Sequence, residues 1–166
     1  MKFSIEKDQI LEALQKVQSI VGQRTTLPIL SNVLLEASNG KLTLTTTDME
    51  VSVRTSIEAD IDEDGATTLP ARRFFSICRD LPSHQVDIGI SNEDVATIIS
   101  GSYNCKLEGL SKDDFPPMPT FEESFSYTLQ QGTFKDILQK TSYAASTDES
   151  RAILNGTLMS FRDNKV

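Results

Sequence analysis

The stretch KFSIEKDQILEALQKVQSIVG, residues 2–22, runs through two hydrophobic periods in succession, and the change of period decides the fold. Over Lys2–Glu6 apolar and polar residues alternate, the pattern of a half-buried strand. Over residues 7–21 the apolar Ile10, Leu14, Val17 and Val21 recur at helical spacing, while Lys7, Glu12, Gln15 and Lys16 turn away and Gly22 supplies a stop. Beyond it, Pro28 opens an extended segment through residues 32–37, Ser38, Asn39 and Gly40 form a hairpin turn, and Lys41–Thr47 alternates again. Residues 50–59 continue the alternation, giving a β-α-β-β-β unit. The pattern then recurs. Residues 67–69 are extended, Pro70 leads a helix over 71–81, and 85–91, Val95–Ser100 and 102–109 read as strands. The fold class is α+β, with repeated β-α-β-β-β units and helices on one face of antiparallel sheet.

A second repeat is longer. Sliding residues 1–42 onto 125–166 without a gap matches Leu14, Gln15 and Lys16 to Leu138, Gln139 and Lys140, Ile29 and Leu30 to Ile153 and Leu154, Leu34 to Leu158, and Lys41 to Lys165. Seven identities are few, but features coincide as well: Phe3, Ser4 and Ile5 fall on Tyr127, Thr128 and Leu129, and the Asn39-Gly40 turn falls on Asp163-Asn164. Between the copies, the prolines at 116, 117 and 119 preclude helix and central strand alike, so the segment from Asp114 reads as a stiff linker. The expected organisation is a complete domain over residues 1–122 and the start of a second over 123–166. A β-α-β stub cannot close its own core, so the chain is expected to be a piece of a longer protein.

Composition narrows the function. The 166 residues carry a net charge of −8 and 38% apolar residues, enough for a packed core. No stretch approaches the roughly 18 consecutive apolar residues of a membrane span, and the alternating start is unlike a signal peptide. The expectation is an intracellular, cytoplasmic protein that does not engage membranes. Cys78 and Cys105 lack metal-site or disulfide-frame spacing and read as buried thiols. His84 is the only histidine, and no phosphate-binding loop, dinucleotide fingerprint or nucleophile elbow occurs, so no enzyme, cofactor or metal is expected. The segment from Asp60 to Gly65 matches the opening of a calcium loop, which leaves a soluble acidic interaction module as the alternative. Position 12 of such a loop would be Ala71, however, and the segment reads as a solvated acidic loop.

Charge is distributed unevenly. The three helical stretches sum to +3, and the rest of the chain to −11. On the second helix Arg72, Ser76, Arg79 and Ser83 share one face, Phe74, Phe75, Cys78 and Leu81 the core face, and Arg73, Ile77, Asp80 and His84 a third.

Five blocks carry a resemblance: residues 24–32 (RTTLPILSN), 47–50 (TDME), 70–75 (PARRFF), 114–116 (DFP) and 151–156 (RAILNG). In this order and spacing they resemble the amino-terminal part of the bacterial sliding clamp family, the β subunit of the replicative DNA polymerase III. The resemblance implies the DNA clamp fold and a non-enzymatic processivity factor. It implies a homodimeric ring around duplex DNA, held without sequence preference, with DNA polymerase and clamp-loader subunits as partners. Helices facing phosphate and acidic strands facing solvent would make sense of the charge division. By resemblance, Arg24, Arg72, Arg79, Lys16 and Lys140 face DNA, although Asp148 stands at the repeat position of Arg24. Arg73, Ile77, Leu81, Cys105 and Leu107 would form the dimer edge, and Arg151 and Leu154 part of the pocket for partner peptides. The fragment, lacking the further domains, is expected not to close a ring by itself.

Overall fold

At Glu6 the backbone is still extended (φ −72°, ψ 136°), and from Lys7 it is helical. The first strand, β1 (Lys2–Glu6), therefore runs without a loop into α1 (Lys7–Gln18). The helix buries Ile10, Ala13, Leu14 and Val17, spaced as one helical stripe, and places Asp8 in its first turn and Lys16 in its last, where each complements the helix dipole. Burying a side chain such as Leu14 contributes roughly 1.5–3 kcal/mol. The helix ends three residues before the expected Val21, which still turns inward and is buried.

The computed structural model describes residues 1–21, 27–118 and 126–162, and the chain divides into two compact units, Met1–Pro119 and Thr120–Val166. In the first unit a 3₁₀ turn at Pro28–Ser31 precedes β2 (Asn32–Ser38), β3 (Lys41–Thr47), β4 (Ser52–Glu58), β5 (Asp60–Glu63) and β6 (Gly65–Pro70). Next come α2 (Ala71–Asp80), β7 (Gln85–Ile90), β8 (Val95–Ser100) and β9 (Tyr103–Glu108). The Pro28–Ser31 turn corrects the expectation of an extended start. Proline at the first helical position has its φ preset and lacks an N–H that would go unused there.

The strands form two antiparallel sheets, ordered β5-β1-β7-β8-β9 and β4-β3-β2-β6. The first strand of each β-α-β unit sits in the other unit's sheet: β1 pairs with β7, and β6 pairs with β2. Asn39 (φ 51°) and Gly40 (φ 72°) make the two-residue turn between β2 and β3, where both positive φ values suit the strand twist. At Ala59 the chain passes from the four-stranded sheet to the five-stranded one, and β5 pairs with β1. This corrects the reading of Asp60–Gly65 as a solvated loop. Ile61 packs against the core and Asp62 meets Lys2 Nζ at 2.9 Å, so the segment is an edge strand without the coil of a calcium loop.

Both sheets and both helices converge on one core containing Phe3, Leu14, Leu44, Leu69, Phe74 and Ile98. Buried polar groups are matched locally: Asn32 Nδ2 donates to Thr68 Oγ1, which donates to Leu110 O, and Thr46 Oγ1 donates to Val17 O. Gly109 admits no side chain, because a Cβ would collide with the carbonyl oxygens of Thr68 and Asp94. A satellite cluster joins Ile29, Leu30 and Leu34 to Phe115 of the proline-rich segment.

The second unit holds α3 (Gln131–Thr141), 3₁₀ turns at Ser142–Ala144 and Glu149–Leu154, and stacked Tyr127 and Phe161 rings 4.2 Å apart. Its helix begins 124 residues after α1, the offset of the repeat. Among its described residues there is no strand, and α3 buries no residue.

The β3–β4 turn is over-determined. Asp48 Oδ1 accepts the N–H groups of Glu50 and Val51, which allows Met49 a φ of 80°. These bonds, the one from Val51 first, hold the Asp48 carboxyl below its ordinary value. A depressed carboxyl stabilises the fold above the ordinary aspartate range and stops doing so as pH falls through the folded value. Asp48→Ala is thus expected to cost about 1 kcal/mol at neutral pH, with the gap from the parent closing in thermal melts below about pH 4. Burial, with a smaller contribution from Cys105, pushes the Cys78 thiol up to about 12. A thiol reagent at pH 8 is expected to modify Cys105 alone in the native protein, and both thiols in denaturant.

Candidate nucleic-acid interface

Two bonds at opposite ends fix α1 antiparallel to α2. At one end Lys7 Nζ donates to Leu81 O at 2.7 Å, beside the bond from the Lys7 N–H to His84 O. At the other, Arg72 Nη2 donates to Val21 O at 3.1 Å, just past the end of α1. Each cation meets carbonyls that the helix itself leaves unpaired and sits at a negative dipole end. Pro82 forces Leu81 into extended backbone, which ends α2 and exposes the carbonyl that Lys7 takes.

On this pair of helices Lys7 is half-buried, and Lys16, Arg72, Arg73 and Arg79 are exposed. Arg72 and Arg79 are seven residues apart on α2 and so lie on one face. Lys16 sits in the last turn of α1, the end to which Arg72 is tied. Its Nζ lies 2.8 Å from Glu12 Oε1, one helical turn earlier, and Arg79 Nε lies 3.0 Å from Asp80 Oδ1. Hydrogen bonding to Lys16 holds the Glu12 carboxyl low, and hydrogen bonding to Arg79 does the same for Asp80. Arg24 lies outside the described residues. Lys140 is exposed in the last turn of α3, in the second unit.

The residues expected at a dimer edge separate by depth. Leu81 and Leu107 lie inside the core, at 3% and 2% exposure, so the groups of this set that reach solvent are Arg73, Ile77 and Cys105. β9 is the outermost strand of its sheet. In the second unit Arg151 is exposed, 3.8 Å from Asp148, and Leu154 is half exposed beside a fully open Ile153. Sequence reasoning missed Lys7, Glu12 and Asp80. The four-residue spacing of Glu12 and Lys16 was a usable signal; nothing local links Lys7 to Leu81. Among the described residues no group of three or more potential metal ligands gathers, and no helix is long and apolar enough to cross a membrane.

Comparison with known proteins bears on this arrangement. The family profile described as the DNA polymerase III beta subunit, N-terminal domain, matches residues 1–119. The beta sliding clamps of Chlamydia muridarum and Escherichia coli K12 are 39% and 38% identical, over 100% and 95% of this chain and 45% and 43% of their own lengths. The crystal structure of a sliding clamp from Bartonella birtlesii, bound to griselimycin, matches with a TM-score of 0.89 at 34% identity over 94% of this chain and 42% of that one. The Bacillus subtilis clamp matches at 0.88 and 33%, over 92% and 42%. The chain belongs to the DNA polymerase III beta subunit family, the bacterial sliding clamps. It spans less than half the length of these relatives.

Lys7→Met keeps the aliphatic stem but removes the donor to Leu81 O. It is expected to lower stability by about 1–2 kcal/mol, read as a lower urea midpoint at unchanged slope.

Proposed function

We propose that this chain supplies the first domain, and the opening of the second, of a ring-shaped processivity factor that encircles duplex DNA and tethers the replicative polymerase. The observation that carries the reading is the antiparallel helix pair α1–α2, whose exposed side presents Lys16, Arg72 and Arg79 in an otherwise acidic chain. Phosphates attract such a wall without reading sequence, while the acidic remainder discourages DNA from binding elsewhere. Retention then comes from topology, and the electrostatic contacts need only be weak enough to slide. In this reading Arg24 and Lys140 are further cations that contact DNA, Lys140 from the second unit. Arg73, Ile77 and Cys105, backed by Leu81 and Leu107, form the edge that meets a second protomer. Arg151 and Leu154 contribute to a docking site for polymerase and clamp-loader segments. The role is mechanical, and none of these residues is asked to make or break a bond.

A chimera tests this. Residues 1–119 replace the matched segment of the Escherichia coli clamp, and the product is loaded onto nicked circular DNA. The expected outcome is retention on the circle and rapid loss after linearisation. A folded chimera that leaves circular and linear DNA equally fast would overturn the reading.

A further inference from the structure

We infer that Glu12 and Asp80 are positioning residues that attenuate the DNA-facing cations, keeping each phosphate contact exchangeable so that the protein slides. The inference rests on the proposed reading of α1–α2 as a DNA wall. On these two helices the cations assigned to that wall are already engaged. Lys16 pairs with Glu12 at 2.8 Å, Arg79 with Asp80 at 3.0 Å, and Arg72 holds the Val21 carbonyl at 3.1 Å. Arg73, which belongs to the other face, has no ion-pair or hydrogen-bond partner among the described residues. Among the exposed cations of α1 and α2, the two that sit beside a carboxylate, Lys16 and Arg79, are both assigned to the DNA face. The repeat keeps the sequence device: Asp136 stands four residues before Lys140, as Glu12 does before Lys16, though those two do not form an ion pair.

The physical consequence concerns barriers as much as affinity. A bare cation that leaves a phosphate returns to water alone, and every step along the duplex then costs the full contact. A cation beside its own carboxylate exchanges one anion for another of similar strength, so both states lie close in free energy and stepping is fast. An exposed ion pair is weak, small enough to be displaced by a phosphate yet large enough to compete with it.

The test uses the 166-residue chain and a short blunt duplex, with affinity read by fluorescence anisotropy between about 50 and 200 mM salt. Glu12→Gln and Asp80→Asn remove the charge and keep the shape, and unchanged melting temperatures establish that the fold is intact. Each is expected to bind about two- to fivefold tighter, with the salt dependence steeper by about 0.9 per freed cation that takes a phosphate. Glu93→Gln, in the β7–β8 turn, removes an equal charge away from the wall and is expected to change affinity less and leave the slope alone. Equal tightening in Glu93→Gln would reduce the effect to net charge and overturn the inference. So would unchanged binding in Glu12→Gln and Asp80→Asn when Lys16→Gln and Arg79→Gln weaken it. If Lys16→Gln and Arg79→Gln themselves change nothing, the wall reading falls, and the inference with it.

Discussion

Neither half of the first unit can bury its own helix, because each lends its first strand to the other. β1 hydrogen-bonds to β7 in one sheet, β6 to β2 in the other, and both helices share a core with both sheets. Pulling either half away would strip the backbone partners of a whole strand and expose Leu14, Phe74 and Leu69 together. The exchange therefore makes the two β-α-β units a single cooperative body. It also brings α1 and α2 alongside each other, which two independently folded units would have no reason to do.

From that adjacency comes the electrostatic character of the surface. Helix ends that would otherwise leave carbonyls unpaired lie within reach of the neighbouring helix, and Lys7 and Arg72 fill them reciprocally. The remaining cations are left on the exposed side, two of them beside carboxylates. A chain of net charge −8 can in this way hold a locally basic face. The acidic residues gathered on β5 stay on an edge strand, where Lys2 partly balances them. The second unit shows the contrast. Its helix starts at the repeat position of α1, yet Ile153 and Leu158 are almost fully exposed where Ile29 and Leu34 are covered, the latter pair by Phe115.

Much of this was legible beforehand. The alternation in Lys2–Glu6, the stripe Ile10, Leu14, Val17 and the Asn39-Gly40 turn each express local backbone chemistry, and each element formed where its pattern lies. Of the candidate site, Arg72 and Arg79 on one face of α2 followed from helical spacing alone. Pro28 misled, because its fixed φ suits a 3₁₀ turn as well as an extended start. The run from Asp60 misled because its acidity masked the alternation of Ile61, whose inward side chain is what makes the segment a strand. Leu81 and Leu107, assigned to the dimer edge by family resemblance, lie within the core of this chain, and such depth depends on what packs above a side chain, which no local pattern records.

By itself, then, the amino-acid order determined which faces are apolar, where helices and turns fall, the offset of 124 between repeats and the family to which the chain belongs. Only the tertiary structure decided which strand pairs with which, that Lys7 holds α2, and which cations reach solvent with a partner beside them. The reason lies in range: periodicity is set by neighbours a few residues away, whereas strand pairing and side-chain capping are settled between groups far apart in the chain, such as Phe3 and Ile88 or Lys7 and Leu81.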